Sequence, residues 1–242
     1  MKRTAKIMGM KVVIQVMDQK VGADDFRDVF NYLRQIDRRY SPFKPNSLVS
    51  QINNGSLIAS RYDSELRKII RLCQWTKKKT AGFFNPYHNG RFDPSGLVKG
   101  YSIKQAADLL YRRGFRKIYL EIAGDIQLYG PKPWRVGIAN PFNPAEVIKV
   151  VALKNRGIAT SGQYYQQGHI YNPHKTVISG DIVSVTVIGP NVDLADRLST
   201  AVFAMGKNGP AYLRQQSKYA GYFVTSDRKA FWTDNFTQYV VA

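Results

Sequence analysis

The chain has 242 residues, of which 44% are hydrophobic and 12% aromatic, a composition that can fill a packed core and argues against a disordered or fibrous protein. The length allows one large domain or two small ones, and we favour a single domain over residues 1–242. Thirty-six lysine and arginine residues against 17 acidic ones give a formal net charge of +19, which favours anionic partners: nucleotides, acidic proteins, nucleic acid or anionic lipid.

The first predicted elements are a strand and two helices. Met8 to Val16 contains enough β-branched residues to predict a strand. Apolar residues between Phe26 and Ile36 recur at helical spacing, which predicts a helix that begins at about Asp24. A loop rich in proline, asparagine and serine follows, and a short helix is predicted from Leu48 to Ile52.

Two longer helices are predicted next. Asp63 suits the N-cap of a helix that ends in a run of three lysines, where cations are favoured by the helix dipole. Another helix is predicted from Val98 to Arg113, because Gly114 is a natural residue to follow a helix C-terminus. Cys73 is the single cysteine, so an intramolecular disulfide is excluded, and we expect a buried thiol rather than a reactive one.

Beyond Gly114 the pattern changes from helices to strands. Strands are predicted from Lys117 to Ile122, Trp134 to Ala139, Val147 to Leu153 and Ile182 to Ile188, and around Tyr222 and Phe231. A helix is predicted from Leu194 to Met205, and a short one near Ala211. Helices that come mostly first, followed by strands of antiparallel type, predict an α+β fold.

No stretch of the sequence reaches the length of a membrane span, and the apolar run after the basic N-terminus is interrupted at Lys11 and Gln15. We therefore expect a cytoplasmic protein, although a chain trimmed of an export signal would look the same. The sequence contains neither a glycine-rich dinucleotide fingerprint nor a P-loop, so any nucleotide would be bound in another way.

Five short segments carry polar residues or glycine where packing does not require them. Phe83 and Phe84 follow a helix and could stack on a flat ring, or they could pack into the core. Asp93 to Gly100 opens a helix, where backbone N–H groups and Lys99 could hold an anion; a capped helix with a solvated lysine is the alternative. Ala123 to Asp125 follows a predicted strand, and an ordinary turn explains this segment as well as a functional role does.

The last two segments contain candidates for acid–base and metal chemistry. His169 follows Ala159 to Gly162 in a polar context rich in turns, where it could be a general base or a structural histidine. Asp196 and Thr200 are four residues apart on a predicted helix and share one face. A carboxylate and a hydroxyl in that position could bind Mg²⁺, whereas a helix cap and a threonine bonded to its own backbone would also explain them.

These segments follow one another in the order found in the ApbE family of FAD:protein FMN transferases, and the sequence resembles that family over nearly its whole length. The matching segments are Met8-Gly9, Tyr40 to Phe43, Gly82 to Asn85, Asp93 to Gly100, Ala123 to Asp125, Thr160 to Gly162, His169-Ile170 and Ala195 to Thr200. The resemblance implies a single α+β domain, related to the T-fold, with a mostly antiparallel sheet and a flavin cleft between two lobes.

The resemblance also implies a reaction, the Mg²⁺-dependent cleavage of the FAD pyrophosphate. FMN passes to a threonine or serine hydroxyl of an acceptor flavoprotein, and AMP leaves. His169 resembles the histidine proposed to activate that hydroxyl, Asp196 and Thr200 match side-chain metal ligands, and Gly96 matches a backbone carbonyl ligand. The residues that match positions lining the FAD site are Met8, Phe43, Phe83, Phe84, Asn85, Asp93, Lys99, Ser161 and Ile170.

Three alternatives stay open on the sequence alone. The same site could hydrolyse FAD to FMN and AMP, or it could bind FAD without any chemistry. A nucleic-acid partner would explain the charge of +19. However, the basic clusters lie at predicted helix ends and no nucleic-acid-binding motif accompanies them, so we expect no nucleic acid.

Overall fold

The computed structural model describes residues 1–162, 173–174 and 181–241. The strands are β1 (Lys2–Ile7), β2 (Met10–Val16), β3 (Tyr87–His88), β4 (Arg91–Phe92), β5 (Ile118–Ile122), β6 (Asp125–Tyr129), β7 (Trp134–Asn140), β8 (Asn143–Leu153), β9 (Gly157–Gly162), β10 (Ile182–Gly189), β11 (Ala220–Thr225) and β12 (Ala230–Trp232). The helices are α1 (Ala23–Tyr40), α2 (Leu48–Asn53), α3 (Ser64–Lys79), α4 (Ser95–Arg112), α5 (Val192–Ala204) and α6 (Gly209–Arg214), with 3₁₀ turns at Ala59–Arg61, Gly206–Asn208 and Asp234–Tyr239.

Eight strands form one sheet in the order β1-β2-β5-β6-β9-β10-β11-β12, and each of these neighbouring pairs is antiparallel. Two further antiparallel pairs, β3–β4 and β7–β8, stand apart from it. The α+β class with a mostly antiparallel sheet, predicted from the sequence, is thereby confirmed.

Alternation along the strands divides the core into two layers, because successive side chains of a strand point to opposite faces of the sheet. On one face, the apolar side chains of β2 and β5 pack against α1 and α4 in a single cluster. On that face too, β10 and β11 pack against α5 through Val185, Val187 and Phe223. On the other face, Ile126 and Leu128 of β6 pack against the β7–β8 hairpin and the 3₁₀ turn near the C-terminus.

Two tight hairpin turns lie side by side at the same end of the neighbouring strands β2 and β5. Met8 and Gly9 connect β1 to β2, and Ala123 and Gly124 connect β5 to β6; all four residues have positive φ, from +49° to +88°. Two-residue turns of this kind match the twist of antiparallel strands and require positive φ at both positions, which glycine adopts without strain. The backbone N–H of Ala123 donates to the carbonyl of Lys11 at 3.2 Å, which holds the two turns together.

The structure confirms every predicted helix, with shifts of a few residues at the ends. The apolar face of α1 is buried through Phe26, Val29, Phe30, Leu33 and Ile36. Asp63 caps α3, and its carboxylate accepts the Leu66 N–H at 2.9 Å. Cys73 is 1% exposed, and burial raises the pKa of its thiol to about 12, as expected for a structural cysteine.

Some strand predictions are wrong or incomplete. The strand predicted from Met8 begins two residues later, because Met8 and Gly9 form the turn. The sequence pattern does not predict β1, β6 or β9 at all. The helix predicted from Val98 begins at Ser95 instead, and glycines in its first turns conceal the apolar spacing there. Within the described ranges, no helix combines the length and apolar character needed to cross a membrane.

Candidate active site

A cavity of about 1040 Å³ lies where the two hairpin turns meet the start of α4, one face of α5 and the ends of β9 and β10. The loops that follow α1 and α3 and the β7–β8 hairpin complete its wall. The predicted site residues that line it are Met8, Phe43, Phe83, Phe84, Asn85, Asp93, Gly96, Lys99, Ser161, Asp196 and Thr200. The other two, His169 and Ile170, lie outside the described residues.

A lysine between two buried carboxylates forms the innermost part of the site. The Nζ atom of Lys99 lies 2.7 Å from Oδ2 of Asp125 and 3.6 Å from Oδ1 of Asp196. The Asp125 and Asp196 side chains are only 1% and 3% exposed. The backbone N–H of Thr160 donates to Oδ1 of Asp125 at 3.0 Å, which fixes the Asp125 carboxylate behind Lys99.

Burial and the electrostatic attraction between Lys99 and the two acidic residues together shift the pKa values in this cluster. Burial raises the pKa of Asp196, and the Lys99 ammonium opposes that rise. Burial alone would lower the pKa of Lys99, but the attraction of Asp125 and Asp196 outweighs it, and the pKa of Lys99 is raised. Lys99 therefore stays protonated. A further cation beside Asp196 would favour the ionised form of its carboxyl group, because it would oppose the effect of burial on the pKa.

Asp196 is held in place by the close approach of α4 and α5. Its Oδ2 atom accepts the backbone N–H of Gly100 at 2.8 Å. A Cβ atom at Gly100 would lie 2.7 Å from Cβ of Asp196 and 2.9 Å from the carbonyl oxygen of Val192. Only glycine fits at this position. Glycine weakens a helix, but here it allows the backbone N–H of Gly100 to reach the Asp196 carboxylate.

Thr200 lies one turn after Asp196 on α5 and packs against the start of α4. A Cβ atom at Gly96 would lie 3.4 Å from Cγ2 of Thr200 and 3.3 Å from the ring of Phe84. The absence of a side chain at Gly96 therefore leaves space for the Thr200 side chain beside the helix N-terminus. The N–H groups of Ser95 and Leu97 there already donate to Oδ1 of Asp93 and to the carbonyl of Pro94. An anion placed at that N-terminus would therefore meet the Gly96 N–H and the positive end of the helix dipole.

The donor set suits a divalent cation whose coordination is completed by a ligand. The described part of the chain contains no group of three or more His, Cys, Asp or Glu side chains that could hold a metal ion. Mg²⁺ commonly takes one or two carboxylates and completes its octahedron with substrate phosphates and water. The Asp196 carboxylate and the Thr200 hydroxyl fit that pattern beside an anion-binding helix terminus, so the residues are compatible with Mg²⁺.

The aromatic residues of the cavity differ in exposure. Phe43 is 90% exposed at the rim, whereas Phe84 is 3% exposed and belongs to a core cluster with parts of α1, α3 and α4. Phe83 lies between these extremes and makes an edge-to-face contact with the ring of His174, with 4.7 Å between centroids. The core-packing interpretation therefore holds for Phe84, which also borders the cavity, and stacking of the pair on a flat ring stays a prediction.

Asp93 and Asn85, two further polar residues of the wall, each accept a hydrogen bond from a backbone N–H two residues later. Oδ1 of Asp93 accepts the Ser95 N–H at 2.9 Å and so prepares the start of α4. Oδ1 of Asn85 accepts the Tyr87 N–H at 3.3 Å. These contacts orient the Asp93 side chain just before α4 and the Asn85 side chain in the loop after α3.

Sequence reasoning missed several residues of the site. The sequence indicates Asp125 only as part of a turn, although its carboxylate contacts Lys99 directly. The β7–β8 hairpin contributes Val136 to Pro141 and Pro144 to the wall, and its alternating apolar pattern gives no hint of this. Ser199, which is fully buried beside Asp196, carries no sequence signal beyond its place in a run of small polar residues.

Fold and cavity together define a class: an α+β protein in which an antiparallel sheet and a helix pair enclose a cleft that contains a helix N-terminus and the buried cluster of Lys99, Asp125 and Asp196. The ApbE family model matches residues 8–90 and 87–223. The chain belongs to the ApbE family, as its resemblance predicted.

Individual relatives and structures agree with this assignment. An FAD:protein FMN transferase of Haemophilus influenzae is 28% identical over 173 residues, covering 65% of this chain and 50% of that protein. One of Vibrio cholerae is 33% identical over 129 residues, covering 48% and 39%. The chain thus spans about half the length, or less, of these relatives.

Two solved structures share the whole fold at low sequence identity. The crystal structure of the ApbE protein from Thermotoga maritima has a TM-score of 0.88 and 20% identity and covers 100% of this chain and 99% of that one. The flavin transferase ApbE from Vibrio cholerae has a TM-score of 0.84 and 20% identity and covers 99% and 98%. At this identity the likeness establishes the fold.

Proposed function

We propose that this protein is a Mg²⁺-dependent FAD:protein FMN transferase, an enzyme that moves FMN from FAD to a threonine or serine hydroxyl of an acceptor protein and releases AMP. Membership in the ApbE family and the names of the matched relatives support this reaction. The observation that carries it most is the Lys99–Asp196–Thr200 arrangement inside one cavity of about 1040 Å³. A cavity of this size suits a ligand as large as a dinucleotide.

The FAD would lie along the cavity with its pyrophosphate at the start of α4. Lys99 and the N-terminal end of that helix would hold phosphate oxygens, because both present positive charge to an anion. Phe43 at the rim and the Phe83 ring are suited to stacking on flat rings. The other residues proposed to contact FAD are Met8, Phe84, Asn85, Asp93, Ser161 and Ile170.

Asp196, Thr200 and the backbone carbonyl of Gly96 would hold Mg²⁺. The cation, when bound, supplies Lewis-acid polarisation of the pyrophosphate and stabilises the phosphate charge of the departing AMP. The chain's own contribution is position: Gly100 fixes the Asp196 carboxylate by a hydrogen bond of 2.8 Å. Lys99 would offset negative charge while it stays paired with Asp125.

His169 would act as the general base of the transfer. It accepts the proton of the acceptor hydroxyl while that oxygen bonds to the FMN phosphorus. The bond between this phosphorus and the bridging oxygen breaks, and the bridging oxygen leaves with AMP. A positioned base of this kind contributes roughly 10²–10⁴-fold to the rate.

The partner implied is an acceptor flavoprotein with a motif of the outline Asp-x-x-Ser/Thr-Gly-Ala-Ser/Thr, and the net charge of +19 suits an acidic one. The proposal places the whole activity in one domain over residues 1–242. A cytoplasmic location stays a prediction from the sequence.

The experiment is to incubate the protein with FAD, Mg²⁺ and an acceptor that carries this motif, and to look for in-gel flavin fluorescence on the acceptor band. We expect a fluorescent band that is lost in Asp196→Ala and strongly reduced in His169→Ala. Thr233→Ala, which removes a buried hydroxyl outside the cavity, is the control and should label normally. Failure of the wild-type protein to label the acceptor would reject the transfer, and a wild-type rate in His169→Ala would reject His169 as the base.

A further inference from the structure

Two buried hydroxyl groups, those of Ser161 and Ser199, connect the backbone of α5 to Thr200 of the proposed cation site. The Ser199 hydroxyl donates to the backbone carbonyl of Asp196 at 3.0 Å. Its oxygen lies 2.9 Å from the Ser161 hydroxyl oxygen, and that oxygen lies 3.5 Å from the hydroxyl oxygen of Thr200. Ser199 is 0% exposed and Ser161 6% exposed, so both groups are largely shielded from water.

The buried end of this chain of hydroxyls supports one order of donors. The carbonyl oxygen of Asp196 only accepts, so the hydrogen of Ser199 points to it in the order that satisfies this contact. In that order Ser199 accepts from Ser161, whose single hydrogen is then used. What Ser161 presents to Thr200 is therefore a lone pair.

Thr200 has one hydrogen and two lone pairs to distribute. Within the part of the chain that the structure describes, the oxygen of Ser161 is the one hydrogen-bond partner of its hydroxyl. At 3.5 Å this contact is long, but it presents an acceptor, so it directs the hydrogen of Thr200 towards Ser161. A lone pair of Thr200 is then free to face a cation.

We propose that Ser161 and Ser199 are positioning residues that orient the Thr200 hydroxyl, so that an oxygen lone pair and not a hydrogen faces a divalent cation. This inference rests on the cation site of the proposed function, and it adds a task for Ser161 beside its proposed contact with FAD. Groups that orient a metal ligand typically affect metal affinity by roughly 10–100-fold. Since these groups are neutral hydroxyls, we expect the lower end of that range.

The test measures Mn²⁺ binding by electron paramagnetic resonance, with Mn²⁺ alone and with ADP as a source of phosphate oxygens. Ser161→Ala should weaken Mn²⁺ binding by about tenfold. Ser199→Ala should weaken it at least as much, although Ser199 is one residue further from the site. Without Ser199, the hydrogen of Ser161 is free to turn to Thr200, whose own hydrogen then points at the cation.

A double-mutant cycle separates orientation from packing. In a Thr200→Val background there is no hydroxyl to orient, so Ser161→Ala should change Mn²⁺ affinity less than about twofold. Ser161→Thr, which keeps a hydroxyl, should restore most of the affinity. Thr233→Ala, a buried hydroxyl deletion outside the cavity, should leave affinity unchanged even where it lowers stability.

Three results would overturn the inference. The first is a wild-type protein that does not bind Mn²⁺, and the second is a Ser161→Ala affinity within about twofold of wild type. The third is an equal loss of affinity on Ser161→Ala in the wild-type and Thr200→Val backgrounds. Because these readouts do not involve FMN transfer, they are independent of the flavinylation assay. A protein that passes them and yet does not label an acceptor would refute the proposed function alone.

Discussion

Replacing Lys99 by methionine removes the cation between two buried carboxylates and keeps most of the side-chain volume. The lysine Nζ lies 2.7 Å from Asp125 and 3.6 Å from Asp196, and these carboxylates are 1% and 3% exposed. Removing one partner of a buried ionic cluster leaves uncompensated charge in a medium that solvates it poorly, at a typical cost of about 3–5 kcal/mol. We therefore expect Lys99→Met to lower the free energy of unfolding by that amount.

The assay is urea unfolding with EDTA present, so that no bound cation replaces the lost ammonium. A second-site variant supplies the control. Asp125→Asn keeps an oxygen to accept the Thr160 N–H and removes one negative charge, so the double variant Lys99→Met/Asp125→Asn should recover most of the lost stability. A single variant as stable as wild type, or a double variant no more stable than the single one, would refute this electrostatic account of the cluster.

Three other predictions concern packing, a helix cap and the cysteine. Gly100→Ala should lower stability by about 1–3 kcal/mol in urea unfolding, because its Cβ would lie 2.7 Å from Asp196. Gly96→Ala, whose Cβ would approach nothing closer than 3.3 Å, should stay within about 1 kcal/mol of wild type; equal effects of the two would contradict the close-approach argument. Asp63→Ala should cost about 1 kcal/mol near neutral pH. A backbone N–H and a guanidinium lower the pKa of Asp63 in the folded protein. The stabilisation by Asp63 is therefore present above about pH 4, where a free carboxyl group ionises, and is lost as the pH falls through the pKa of the folded state. A destabilisation by Asp63→Ala that is unchanged down to about pH 2 would contradict this. Cys73, with its pKa raised to about 12, should react with a disulfide reagent about a hundredfold more slowly in the folded than in the unfolded protein, and equal rates would show that the thiol is accessible.

The helices could be predicted because their signals are local. The apolar face of α1 repeats within one segment, and the buried residues found there are those that the spacing selects. Asp63 identifies the start of α3 by its own side chain, since an N-cap needs only a carboxylate three residues before a backbone N–H.

The missed strands lack any local signal. In β1, four of the six residues are exposed at the edge of the sheet, so the alternation that would reveal a strand is weak. In β9, glycine and small residues predominate, and its identity as a strand depends on pairing with β6 and β10. Non-local hydrogen bonds define these strands, and propensity alone does not predict such pairing.

The candidate site was predictable as a set of residues but not as a cluster. The order of motifs along the chain selects residues that the fold brings into one cavity, including Lys99 and Asp196. The contact of Lys99 with Asp125 joins the first turns of α4 to the start of β6, two elements whose proximity no spacing rule gives. The Ser161–Ser199 contact likewise depends on β9 packing on α5.

The most direct test of the central claim is to quantify, in one reaction with FAD, Mg²⁺ and acceptor, the AMP released, the free FMN and the FMN bound covalently to the acceptor. Transfer requires that AMP and acceptor-bound FMN appear in equal amounts, with free FMN at background. AMP accompanied by free FMN would show hydrolysis instead, and FAD that stays bound without any AMP would contradict catalysis altogether.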